Sequence, residues 1–177
     1  MRQLLICSPL EVLMNRSLLA LLLTSLLLLL IAAPSSASAS TDPPTTKAFR
    51  VFQHKVCRGV YKQNRQAAPA LLRFNEIFYD GERSPEELEA AGRAYRSVQD
   101  IWRYWTGRIW NIRAPVEVAR LWRRNGREQR NVLKVGYQLV AALEAADLPR
   151  FERRLKRYIN LQIKRNRTWE RIGLYCP

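Results

Sequence analysis

The chain, 177 residues long, predicts an all-α protein: an antiparallel up-down four-helix bundle. Three observations predict it. Beyond residue 46, apolar side chains recur at three- and four-residue steps, the period of a helix with one buried face. The interruptions are short and carry helix punctuation, at Asp80-Gly81-Glu82-Arg83, Ala114-Pro115 and Asp147-Leu148-Pro149. Long helices joined by turns this short must run antiparallel to their neighbours. No alternating strand pattern and no internal repeat is visible.

Ahead of the bundle lies a different composition. Ser17 to Ala33 is an uncharged, leucine-rich run, preceded by Arg16 and followed by Pro34-Ser35-Ser36-Ala37-Ser38-Ala39. A positive flank, an apolar core and an Ala-x-Ala exit read as a secretory signal peptide over residues 1–39, cleaved after Ala39. The competing reading is an uncleaved membrane anchor, because a bilayer is spanned by roughly 17–25 apolar residues. The lack of a charged stop-transfer flank favours cleavage. Met14 makes a more ordinary signal start than Met1, and both starts stay open. The mature protein is therefore expected outside the cytoplasm, in a periplasm, an organelle lumen or the medium. Residues 40–46 read as a polar linker, and residues 47–177 as one helical domain large enough for its own core.

The first helical segment is expected from Lys47 to Tyr79, with Phe49, Phe52, Val56, Val60, Ala67, Leu71, Phe74 and Phe78 on one face. Pro69 should kink or split it, since proline removes a helical hydrogen bond and crowds the preceding turn. Ser84-Pro85-Glu86-Glu87 carries a capping-box pattern and opens the second helix. Leu88, Ala91, Tyr95, Val98, Trp102, Trp105, Ile109 and Ile112 form its seam. The third segment opens at Ala114-Pro115 and runs to Ala146, through Val118, Leu121, Trp122, Val132, Leu139, Val140 and Leu143. The fourth starts at Asp147, a capping aspartate, and reaches Leu174 through Phe151, Leu155, Tyr158, Ile159, Trp169 and Ile172.

Cleavage removes Cys7 and leaves Cys57 and Cys176. An even pair in an oxidising compartment reads as one disulfide. Up-down topology places the start of the first helix beside the end of the fourth, so both cysteines fall in the same half of the bundle. Cys57 lies about 15 Å into its helix at 1.5 Å per residue, so the tail from Leu174 must fold back to meet it.

Residues 40–177 hold 28 basic against 14 acidic side chains, net +14. That excess favours an anionic surface, a glycan, a lipid or an acidic protein as partner. The export signal and the lack of a binding motif disfavour nucleic acid. The charge is patterned. Arg150, Arg153, Arg157, Lys164, Arg167 and Arg171 follow helical spacing on the fourth helix, roughly opposite its apolar seam. Arg120, Arg123, Arg127, Arg130 and Lys134 repeat the device on the third. If these helices are hairpin neighbours, the two stripes merge into one cationic face. The bland reading is a solvated surface.

Two other features compete for a functional role. The third helix has no apolar side chain from Arg123 to Asn131, a stretch that includes Asn125, Gly126 and Gln129. With Asn64 on the first helix and Gln162 and Asn166 on the fourth, these residues suit a polar interior that holds a small molecule; the plainer readings are a helix break at Gly126 or a satisfied hydrogen-bond network. The run Trp102 to Trp110 interleaves rings with arginine. Trp102 and Trp105 lie on the seam, which leaves Tyr104 and Trp110 as candidate exposed rings.

Catalytic signals are weak. His54 stands three residues before Cys57, but a disulfide-bonded cysteine serves neither as nucleophile nor as metal ligand. Glu76 and Asp80 lie four apart without a demonstrable substrate between them. No metal, haem or phosphate-loop motif is present, and no cofactor is expected. The favoured reading is an exported, non-enzymatic bundle that binds an anionic envelope component or acidic partner. The alternatives are a small-molecule carrier or enzyme built on the polar interior, and a subunit of an extracytoplasmic assembly, for which Leu161 among the arginines is the hint.

Overall fold

The computed structural model describes residues 46–176. Four helices follow in order: α1 Lys47–Asp80, α2 Pro85–Trp110, α3 Val116–Glu144 and α4 Leu148–Ile172. Among the described residues there is no strand, and no helix is long and apolar enough to cross a membrane. The signal-peptide and linker readings fall outside these residues except at Thr46. That residue belongs to the bundle: its hydroxyl oxygen accepts from the Phe49 amide at 3.1 Å as the N-cap of α1. It also donates to Glu117 Oε1 at 3.1 Å, tying the start of α1 to the first turn of α3.

The expected caps form where a side chain can reach an orphan amide. Ser84 and Glu87 make a reciprocal capping box on α2, and Asp147 Oδ1 accepts from the Arg150 amide at 2.9 Å. Neither a split at Pro69 nor a break at Gly126 forms. α1 stays helical through Pro69. Pro69 and Arg65, whose carbonyl would have bonded to it, are both exposed, so the missing bond falls on the solvent side. α3 likewise passes through Gly126 without a break. A Cβ there would lie 2.5 Å from Trp110 Cδ1, so this glycine serves close approach of an indole rather than a turn.

Helix α1 packs on α2, α2 on α3 and α3 on α4. Aromatic contacts close the ring at the end where α1 finishes: Phe74 and Phe78 stack at 5.3 Å, and Phe78 meets Phe151 of α4 at 5.4 Å. At the opposite end Phe49, Phe52, Val56, Ile109, Val118, Trp122, Ile172 and Leu174 form one buried cluster drawn from every helix and the tail. Gly173, at φ 76°, stops α4 in the left-handed region that glycine adopts without strain. The tail then folds back. Leu174 is buried, Gln53 Nε2 donates to the Tyr175 carbonyl at 2.9 Å, and Cys57 and Cys176 form a disulfide across a Cα separation of 5.1 Å.

Trp110 is not the free ring that its place in the sequence suggests. It lies parallel to Trp122 at 5.4 Å and beside Trp169 at 6.3 Å, because α2 ends where α3 begins and its last side chain closes over Gly126. Tyr104 does stay exposed, with the Arg108 guanidinium 4.5 Å above its ring.

Candidate anion-binding face and polar interior

All eleven residues of the two basic stripes are exposed: Arg120, Arg123, Arg127, Arg130 and Lys134 on α3, and Arg150, Arg153, Arg157, Lys164, Arg167 and Arg171 on α4. Their helices are packed neighbours. No acidic residue stands on α4 between Glu152 and Glu170, so only the two ends of that length set a carboxylate within one turn of a cation.

A groove of about 570 Å³ runs beside the lower half of the α4 stripe, lined by Arg124, Asn160, Ile163, Lys164, Arg167, Thr168 and Arg171. The contribution of α3 is Arg124, one residue off the anticipated stripe. The side of α3 that faces α4 lies about 100° round from Arg123. Arg124 is held in place by Glu128, four residues on, whose Oε1 accepts from Nε at 2.9 Å. That i,i+4 pair was the available sequence signal for Arg124. Thr168 is buried at the groove wall, its hydroxyl donating to the Lys164 carbonyl at 3.3 Å.

The polar interior is assembled differently from its expectation. Asn64 is exposed, and its neighbour Gln63 turns inward instead, since one helical step rotates a side chain by about 100°. Asn125, Gln129 and Gln162 are buried, whereas Asn166 is half-buried. Their hub is Arg165, which the stripe pattern passes over. Its Nη1 donates to Gln129 Oε1 at 2.9 Å, and its Nε and Nη2 both donate to Asn166 Oδ1, at 3.1 and 2.7 Å. Asn125 accepts from Trp110 Nε1 at 3.2 Å and donates to the Arg165 carbonyl at 3.0 Å. Gln129 Nε2 reaches Thr106 at 3.5 Å.

The amides of Asn125 and Gln129 are thus committed to the protein's own groups. Further along α4, Gln162 Nε2 donates to the Tyr158 hydroxyl at 3.0 Å. Burial pushes the Arg165 guanidinium pKa down and the Tyr158 phenol up. Burial first, and the neighbouring Tyr158 next, hold Tyr95 well above its usual range. Gln99 is fully buried with neither amide atom partnered, and Gln162 Oε1 is also unpartnered.

The remaining candidates do not assemble. His54 is exposed and Cys57 is consumed in the disulfide. Glu76 is exposed, and the side chain of Asp80 lies outside the described ones. Among the described residues no group of three or more His, Cys, Asp or Glu side chains gathers to hold a metal. Comparison with protein-family models, with curated proteins and with solved structures finds no match.

Proposed function

We propose that the chain is an exported, non-enzymatic bundle that binds an anionic lipid or glycan surface of the envelope through the α3–α4 face. The observation that supports this reading is the exposure of eleven patterned cations on two adjoining helices. Such a face concentrates positive potential on one side of the molecule and attracts polyanions. Arginine, which makes up most of it, binds phosphate and carboxylate through two parallel N–H donors.

The test is sedimentation of the mature protein with phosphatidylglycerol vesicles, and separately with an acidic polysaccharide, across a salt series. Binding should weaken markedly as salt shortens the screening length from about 30 Å at 0.01 M to about 8 Å at 0.15 M. The variant carrying Arg127→Glu, Arg130→Glu, Arg153→Glu and Arg157→Glu should not bind. Unchanged binding by that variant rejects the face, and exclusive capture of an acidic protein moves the partner to that class.

A further inference from the structure

The α3–α4 groove has more structure than a solvated stripe. Lys164, Arg167 and Arg171 line it along α4, spanning about 10 Å of rise at 1.5 Å per residue, and Arg124 faces them from α3. A single phosphate is too short to meet both ends of that row. Arg124 is pre-positioned: its pair with the buried Glu128 uses Nε, so its terminal nitrogens keep their donors for another acceptor. Arg167 and Thr168 lie between the two ends, and Ile163, 39% exposed, adjoins Lys164 outside them.

Resting on the anionic-surface reading, we infer that this groove is a binding site for a ligand bearing two phosphate groups about 10 Å apart, joined by a spacer that passes Arg167 and Thr168. Two phosphomonoesters carry about −3 to −4 together at neutral pH. That matches the four cations of the groove, one of them partly offset by Glu128. Lys164 and Arg171 hold the two ends, and Arg124 and Arg167 supply planar donor pairs between them. The same chemistry is presented by a soluble bisphosphate and by a two-phosphate lipid headgroup.

Calorimetry with hexamethylene bisphosphate against hexyl phosphate tests the site. The bisphosphate should bind at least ten-fold tighter, because engaging one end makes the second contact intramolecular. The gain should disappear in the Lys164→Gln/Arg171→Gln variant and persist in Arg153→Gln/Arg157→Gln. All four positions are exposed and leave the core intact. Equal affinity for the two compounds, or a gain indifferent to the first variant, overturns the site. Phosphatidylglycerol vesicles with and without a lipid carrying two phosphomonoesters on a disaccharide headgroup, at equal phosphate, separate the sources: preference for the second kind identifies a headgroup, and bisphosphate binding without that preference identifies a soluble ligand. Salt-sensitive vesicle binding with no bisphosphate gain overturns this inference alone, whereas a bisphosphate gain with no surface binding overturns the broader reading instead.

Discussion

Arg165 reaches across the α3–α4 interface to Gln129, its Nη1 donating to Oε1 at 2.9 Å, and its recorded hydrogen bonds go to amide oxygens rather than to a carboxylate. A guanidinium on a half-buried residue, paired only with neutral acceptors, is a costly element. Its value to the fold is directional, because it joins α3 to α4 at one register.

Removing the cation should cost more than removing its acceptor. Arg165→Met leaves the buried Gln129 Oε1 without its donor and should destabilise by about 1–3 kcal/mol. Gln129→Leu leaves Nη1 of a half-buried residue within reach of water and should change stability by about 1 kcal/mol or less. Urea denaturation of both single variants and the double variant closes the cycle. A coupling of about 1 kcal/mol or more is expected, and simple additivity would deny the pair any role.

Gly136 is under a similar constraint from Gln99. A Cβ at 136 would lie 2.6 Å from Cδ of Gln99, the far end of a fully buried side chain that would have to shift. Gly136→Ala gains about 1 kcal/mol of helix propensity but should be destabilising by about 1–3 kcal/mol overall through overpacking. In a Gln99→Ala background the same change should become neutral or stabilising. Thermal melts of the four proteins decide it; a stabilising Gly136→Ala on its own would show that Gln99 has room to move.

Much of this bundle is legible in the sequence. Ser84 with Glu87, Asp147, the apolar seams and the Cys57–Cys176 bridge all depend on near neighbours in sequence or on up-down connectivity, and all appear where expected. What escaped depends on how one helix is rotated against another. Arg124 and Arg165 each sit one position from a stripe residue, and only the α3–α4 contact shows that they face the partner helix. Gln63 and Asn64 are indistinguishable by composition, and the seam through Val60 and Ala67 is too wide to choose between them. Trp110 is legible as a terminal ring, but its burial needs Gly126 from the next helix beneath it.

Glu144 should give the stability curve an acid limb. Its carboxyl is held below the usual range, first by the hydrogen bond from Arg96, whose Nε lies 2.8 Å from Oε1. A depressed folded pKa adds stability above the unfolded value, about 4.3, and that increment is lost as pH falls through the folded value. The difference between the native protein and Glu144→Gln should be flat from neutrality to about pH 5 and shrink below about pH 4. Its size should stay under about 1 kcal/mol, since the pair is largely solvated. An unchanged difference at pH 3 would show that the effect is not carried by the charge on Glu144.

The disulfide and the buried tail make separable contributions to the same end of the bundle. Cys57 and Cys176 are 119 residues apart, so Cys57→Ser/Cys176→Ser should lower stability by about 4–5 kcal/mol in the chain-entropy model. That term acts on the unfolded chain and leaves native contacts in place, so Leu174 should stay packed and the Gln53 bond to Tyr175 should persist. Leu174→Ala acts on the folded state, opening a void beside Ile172 and Trp122 at about 2–5 kcal/mol. Denaturation with and without reductant measures the first, and hydrogen exchange at the Leu174 amide tests whether the tail stays docked. Preferential exchange there in the serine variant, ahead of global opening, would mean that the bridge holds the tail down in the native state and does more than restrict the unfolded one.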